Sequence, residues 1–179
     1  MKKAVLLFFV ILIGACSKST ESYSKKVMSL NGTWQFLASN DINEKDIIKA
    51  SFSECDTIKV PGNWDTRKQY SEYVGKGYYH KEFSIPTTWK NKQIRLQFDA
   101  VYETAKVWLN GKLLGKHVGG YTPFEFNITD KINANEPNTV LVMADNTYKR
   151  GAWWAWGGIS RNVNLIANND VRIVYQHIS

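Results

Sequence analysis

The side chains with the clearest capacity for chemistry form a run of tryptophans near the end of the sequence. Trp153, Trp154 and Trp156 lie in one tetrapeptide, close to Arg150. Indole rings either stack on the apolar face of a ligand or pack into a core or a domain interface. Because alternate residues of a strand face opposite sides, the three rings cannot all point inward. At least one is therefore expected at the surface, and the sequence leaves ligand contact and interface packing open as alternatives.

The cysteines and histidines offer no recognisable catalytic or metal site. A catalytic thiol needs a basic partner, and the sequence does not bring any histidine close to Cys55, which we interpret as a structural or merely tolerated thiol. No group of cysteines and histidines has the spacing of a zinc site, and no glycine-rich loop leads into a helix as phosphate binding would require. No metal or cofactor is predicted. The histidines are His80, His117 and His177.

The N-terminus has the pattern of an export signal. Lys2 and Lys3 precede an uninterrupted apolar run at residues 4–13, which is too short to span a bilayer comfortably. Small residues just before Cys16 resemble the lipobox of bacterial lipoproteins, in which that cysteine is diacylated. Residues 1–16 are thus predicted to be a lipoprotein signal and residues 17–27 a flexible tether in the bacterial cell envelope. The alternative is an ordinary secretory signal that is cut near Ala15.

Composition and charge predict one folded domain that does not bind nucleic acid. The 179-residue chain is 44% hydrophobic and 22% charged, which is typical of a globular protein and leaves room for a single core. The formal charge is +7, but Lys and Arg occur singly or in pairs among acidic residues. Proteins that bind nucleic acid concentrate their positive charge on one stripe or helix face. Contact with a membrane is expected only through the lipid anchor.

The hydrophobic pattern predicts an all-β sandwich over residues 28–179. Short alternating segments recur between turn-forming residues, and only residues 43–49 suggest a short helical turn. Asn110-Gly111 predicts a tight hairpin, because both central residues of a type I′ turn need positive φ. Periodicity alone does not separate a jelly roll from an immunoglobulin-like topology. The predicted strands are 33–38, 56–60, 78–85, 93–100, 104–109, 112–117, 124–128, 139–144, 162–166 and 171–175.

Ordered segments over about 130 residues resemble the N-terminal sugar-binding domain of family 2 glycoside hydrolases, the group of β-galactosidases, β-glucuronidases and β-mannosidases. Each segment is common by itself, and it is their order along the chain that makes the resemblance specific. They are LNGTWQF at 30–36, VPGNWD at 60–65, YYHKEFSIP at 78–86, LQFDAV at 96–101, AKVWLNG at 105–111, HVGGYTPFEFNITD at 117–130 and GGISRNV at 157–163.

The resemblance implies a jelly-roll sandwich of the galactose-binding-domain type. In the family this domain normally precedes an immunoglobulin-like domain and a (β/α)₈ barrel that carries two catalytic glutamates. Such barrels need about 250 residues, which this chain does not have. The chain alone is therefore expected to be inactive, with no catalytic residue of its own. Its expected partners are a β-linked glycan and the other domains of a longer glycosidase.

Some residues that form the active site in the family have no clear match in this sequence. The family's acid/base glutamate follows an asparagine at the end of a barrel strand, but Asn43-Glu44 and Asn135-Glu136 lie in polar, turn-like surroundings and not after a buried apolar strand. Several relatives also place a sugar-binding carboxylate near the position of Ala152, which is not acidic here. The candidate contacts for sugar or for a neighbouring domain are Trp153, Trp154, Trp156, Arg150, Asn146 and Tyr121.

Three functions are compatible with the sequence. The first is the sugar-binding sandwich of a family 2 β-glycosidase, which acts in carbohydrate metabolism when it is joined to a catalytic barrel. The second is a carbohydrate-binding envelope lipoprotein without hydrolase activity, and the third is an envelope module that binds a protein. In all three the tryptophans outside the 153–156 run are expected to lie in the core. These are Trp34, Trp64, Trp89 and Trp108.

Overall fold

The computed structural model describes residues 25–148 and 156–169 as ten β-strands and one short α-helix. The predicted strand at 171–175 and the N-terminal signal lie outside these residues. Three single 3₁₀ turns cover Trp64–Thr66, Lys68–Tyr70 and Thr87–Trp89. In chain order the elements are β1 Lys26–Ser29, β2 Gly32–Ala38, α1 Glu44–Lys49, β3 Asp56–Val60, β4 Lys76–Phe83, β5 Gln93–Phe98, β6 Thr104–Leu109, β7 Lys112–Val118, β8 Phe124–Asn127, β9 Asn138–Asp145 and β10 Val163–Asn168.

The strands form two antiparallel sheets. The four-stranded sheet has the order β1-β10-β5-β8, and the six-stranded sheet has the order β3-β2-β4-β9-β6-β7. Most neighbours in a sheet are distant in sequence, so the chain crosses repeatedly from one sheet to the other. This architecture confirms the predicted all-β, jelly-roll sandwich.

The core lies between the two sheets and follows from strand alternation. Leu96 and Phe98 of β5 point inward and are fully buried, while Arg95 and Gln97, which alternate with them, face outward. The six-stranded sheet contributes inward residues such as Val107 and Val142, and all of these belong to one apolar cluster. The four tryptophans predicted to be core residues are at most 6% exposed, which confirms that prediction; they are Trp34, Trp64, Trp89 and Trp108.

The predicted hairpin joins β6 to β7. Asn110 and Gly111 have φ of 50° and 76°, the positive values that a type I′ turn requires. The Asn110 side chain also accepts a hydrogen bond from the backbone N–H of Thr139 at 2.9 Å, which ties the turn to the start of β9. The prediction of this hairpin is confirmed.

The first strand differs from the sequence-based boundary. The tether was expected to reach residue 27, but Lys26 and Val27 pair with Ala167 and Ile166 in the antiparallel register of β1 with β10. This strand escapes prediction because it has only four residues and its pairing partner lies about 140 residues later in the sequence. Among the described residues, no helix has the length and apolar character needed to cross a membrane.

A second apolar cluster covers the outer face of the six-stranded sheet. The helix α1, in the segment predicted to be a helical turn, begins after Asn43, whose Oδ1 accepts a hydrogen bond from the backbone N–H of Asp46 at 3.0 Å. Its buried Ile47 packs in one cluster with Tyr78 and Trp108 of the sheet. This arrangement places a helical cover over part of a sheet face that would otherwise be open to solvent.

Candidate functional site

Four loops meet at one end of the sandwich, which we call the loop end. They are residues 61–75, 99–103, 119–123 and, as far as it is described, the segment 156–162 that leads into β10. Together they form an open depression of about 270 Å³. Its described lining consists of Asn63, Tyr102, Tyr121, Trp156 and Ser160.

Backbone hydrogen bonds hold the segment 157–159 in the middle of the loop end. The N–H of Trp64 donates to Gly157 O at 2.9 Å, and the N–H of Tyr102 donates to Gly158 O at 2.9 Å. A third bond joins the N–H of Gly62 to Ile159 O, also at 2.9 Å. The loops after β3 and β5 are thus fixed to the segment that leads into β10, although they are far apart in sequence.

Glycine is required at the centre of this arrangement. A Cβ atom on Gly157 would lie 1.9 Å from Cε2 of the Trp64 ring, far closer than non-bonded carbon atoms approach each other. Gly158 has φ of +134°, a conformation that residues with side chains rarely adopt. The GG pair of the family-like segment therefore allows the backbone to pass directly over the buried Trp64.

One of the two exposed aromatic rings of the loop end rests on a buried one. Tyr121 is 58% exposed and Trp156 is 46% exposed, while Tyr102 is only 1% exposed. The rings of Tyr121 and Tyr102 meet edge to face, with 5.6 Å between their centroids. An exposed ring supported in this way offers apolar surface to a partner at little cost in conformational entropy.

Two buried side-chain oxygens in the loop after β3 find no hydrogen-bond donor among the described residues. Oδ1 of Asn63 and Oδ1 of Asp65 are buried, and no described residue donates to either of them. A buried acceptor without a donor costs free energy, so a hydroxyl or N–H group from a ligand or a neighbouring domain would be favoured there. Sequence reasoning did not select Asn63. The available signal was a polar residue in VPGNWD, between a turn glycine and a tryptophan expected to be buried.

The structure brings together only some of the residues that the sequence proposed as contacts. Trp156 and Tyr121 both line the depression. Asn146 does not, because its side chain is fully buried and accepts a hydrogen bond from the N–H of Gly75 at 2.7 Å, so its place is within the fold and not on the surface. The candidates Arg150, Trp153 and Trp154, like the predicted lipidation site Cys16, lie outside the described residues.

The groups considered for catalysis lie away from the depression. Glu44 begins α1 on the outer sheet face and pairs with Lys106 at 2.8 Å, and the exposed Glu136 precedes β9 at the opposite end of the sandwich. Burial, together with the charges of Asp56 and Glu54, raises the pKa of the Cys55 thiol. A thiol with a raised pKa is a poor nucleophile at neutral pH. No metal-binding group of three His, Cys, Asp or Glu side chains occurs within the described part of the chain.

The sequence matches a known family model and known proteins over most of its length. The family model described as "Glycosyl hydrolases family 2, sugar binding domain" matches residues 27–169. The chain is 31% identical to a β-galactosidase of Thermoanaerobacter pseudethanolicus, with 83% of this chain and 22% of the relative aligned. It is 29% identical to a β-glucuronidase of Bacteroides fragilis, with 96% of this chain and 24% of the relative aligned.

The fold of this chain also matches a solved structure. The β-glucuronidase of Bacteroides uniformis superposes with a TM-score of 0.73 at 34% identity, covering 82% of this chain and 18% of that one. The chain spans about a quarter or less of the length of each of these three proteins. The match over residues 27–169, the two-sheet sandwich and the ordered loop-end segments show that the chain belongs to the sugar-binding domain family of the family 2 glycosyl hydrolases.

Proposed function

We propose that this chain is the non-catalytic sugar-binding sandwich of a family 2 β-glycosidase, and that its loop end contacts a β-linked glycan. The observation that carries the proposal is the combination of exposed rings at Trp156 and Tyr121 with the unpaired buried acceptor of Asn63 in one depression. Rings suit the apolar face of a pyranose, and an amide oxygen accepts a hydrogen bond from a sugar hydroxyl. The names of the relatives, β-galactosidase and β-glucuronidase, support the substrate class.

Hydrolysis would come from another domain of the enzyme. Glycoside hydrolysis normally uses two carboxyl groups, about 5–5.5 Å apart in retaining and about 6.5–9.5 Å apart in inverting enzymes. The described lining of the depression contains an amide, two phenols, an indole and a hydroxyl, and none of these replaces a carboxylate pair. The sandwich would therefore bind and orient the sugar, while a barrel supplies the acid and the nucleophile.

The test is calorimetric titration of the chain with a panel of β-linked mono- and oligosaccharides, beside a hydrolysis assay with chromogenic β-glycosides. We expect binding without turnover, and Trp156→Ala should weaken binding about tenfold or more, as truncation of a central tryptophan usually does. The matched control is Leu113→Ala, which shortens an equally exposed apolar residue on β7 and should leave binding unchanged.

Each other outcome would contradict part of the proposal. Turnover by the chain alone would contradict its non-catalytic role. Binding that Trp156→Ala leaves intact would place the glycan away from the loop end. If no saccharide of the panel binds, the domain serves the enzyme only as a structural piece.

We also propose that the chain is exported and anchored to the cell envelope through acyl chains on Cys16. The support is the positively charged start, the apolar run at 4–13 and the small residues before the cysteine. In a bacterial host grown with labelled palmitate, we expect the label and the membrane association to be lost in Cys16→Ser and retained in the matched variant Cys55→Ser. A chain that stays unlabelled and is released into the soluble fraction would support the ordinary secretory signal instead.

A further inference from the structure

A second depression, the outer-face cleft, lies between α1 and the outer face of the six-stranded sheet. It encloses about 240 Å³, below the roughly 300–1,000 Å³ of sites for drug-sized ligands, and so suits a single small ring. Its lining differs from that of the loop end, because cationic, acidic, amide and aromatic side chains all take part. The residues that matter for its chemistry are Lys76, Lys106, Lys116, Glu44, Asp145 and Trp108.

Four strands contribute side chains to the cleft, and their register sets the positions of these side chains. Lys76 of β4 lies opposite Asp145 of β9, which in turn lies opposite Thr104 of β6. In the next outward-facing row, Lys106 of β6 lies opposite Lys116 of β7. Three strand spacings of about 4.8 Å separate β4 from β7, and Lys116 is offset from Lys76 by two residues along the strands, about 7 Å, so these two lysines start about 16 Å apart at the backbone. Their flexible stems allow both ammonium groups to approach one ligand between them.

An unpaired donor lies in the wall of this cleft. Trp108 is 2% exposed, and its Nε1–H is buried with no acceptor among the described residues. Buried indole N–H groups normally find a partner, since leaving one unpaired costs free energy. An oxygen atom of a bound ligand would supply the missing acceptor.

The charges of the cleft favour an anionic ligand that also carries hydroxyl groups. Lys106 is paired with Glu44 at 2.8 Å, whereas Lys76 and Lys116 form no ion pair with any described residue. Two lysines are thus available for a negative group. A bare anion would also face the carboxylates of Glu44 and Asp145, but sugar hydroxyls can donate to these oxygens.

We propose that the outer-face cleft is a second carbohydrate site, which binds one sugar residue bearing a carboxylate. Its carboxylate lies between Lys76 and Lys116, an oxygen atom accepts from Nε1–H of Trp108, and ring hydroxyls donate to Glu44 or Asp145. The site shares no lining residue with the loop end. It therefore goes beyond the proposed function and does not depend on it.

The test uses the full chain labelled with ¹⁵N, because indole N–H groups give separate NMR signals. Trp108→Phe identifies the Trp108 signal by its disappearance. Titration with D-glucuronate should shift that signal in a saturable way, whereas D-glucose and sodium acetate at the same concentrations should leave it in place. The same shift should persist in Trp156→Ala, which separates this site from the loop end.

The second part of the test uses variants of the lysines. Lys76→Met and Lys116→Met should each weaken glucuronate binding about three- to fivefold, the range expected for one partly solvated ion pair. Lys131→Met, which removes an exposed lysine outside the cleft, should have no effect. The proposal is overturned if glucuronate leaves the Trp108 signal unmoved, if acetate or glucose moves it equally, or if all three lysine variants bind alike.

Discussion

Replacing Trp64 by alanine is expected to lower the free energy of unfolding by about 3–5 kcal/mol, the usual cost of removing a buried large aromatic side chain. Trp64 has no exposed surface and lies 5.8 Å from the ring of Phe36 and 5.9 Å from that of Tyr73, measured between centroids. Its Nε1–H donates to the carbonyl of Tyr73 at 3.2 Å. Truncation would leave a large cavity directly under the loop end and would remove one of the two side-chain donors to the Tyr73 carbonyl, the other being Nδ2 of Asn146.

The loss should be visible as a shift in the urea midpoint, followed by circular dichroism. Because domains of this size are stable by only about 5–15 kcal/mol, the variant would lose a large part of its stability. An unchanged slope of the transition would show that the folded state is as compact as before.

Trp156→Ala is the matched control, since it removes the same side chain at a site that is 46% exposed. It should change stability by about 0.5 kcal/mol or less, as surface substitutions usually do. Equal losses of unfolding free energy in the two variants would contradict the assignment of Trp64 as a buried ring under the loop end and of Trp156 as a surface ring.

Much of the fold could be predicted because its signals are local. Alternation in residues such as Ile94, Leu96 and Phe98 identifies a strand with one buried face wherever that strand goes. The turn at Asn110-Gly111 follows from the backbone angles that these two residues tolerate. The resemblance to a family then supplied the jelly-roll topology, which periodicity could not.

Other elements depend on partners that are far away in the sequence. β1 exists because Lys26–Ser29 meets β10, and nothing in those four residues requires a strand. Asn146 has the polar character of a ligand contact, but the end of β9 places it inside, where it binds the backbone near Gly75. Residue type alone does not distinguish a buried structural amide from an exposed binding one.

The two candidate sites also differ in how much of each could be predicted from the sequence. Residue type identified Trp156 and Tyr121 as ring-bearing candidates, but their meeting in one depression depends on the bonds that fix residues 157–159 between two other loops. The outer-face cleft could not be found from the sequence, because its lysines lie on strands that are brought together only by the sheet order β4-β9-β6-β7. In both cases contacts between segments that are far apart in the sequence bring the residues of the site together.

Gly157→Ala is expected to lower the free energy of unfolding by about 3 kcal/mol, the upper part of the usual range for overpacking. The new Cβ would lie 1.9 Å and 2.0 Å from Cε2 and Cζ2 of Trp64. That ring is fully buried and cannot turn aside, so either the ring or the backbone of residues 156–158 must move. The change is measured by the same urea titration, and weaker glycan binding at the loop end should accompany it.

A double-mutant cycle tests whether this clash is the cause. In Trp64→Ala the ring is gone, so the methyl group of Gly157→Ala should fit into the vacated space. The double variant should then be less destabilised than the sum of the single variants by about 1 kcal/mol or more, within the range found for residues in contact. In the background Leu113→Ala, an exposed site on β7, Gly157→Ala should keep its full cost. Additivity with Trp64→Ala would mean that the cost arises from the backbone of the glycine pair, and that the loop end is not positioned by the packing of Trp64 against Gly157.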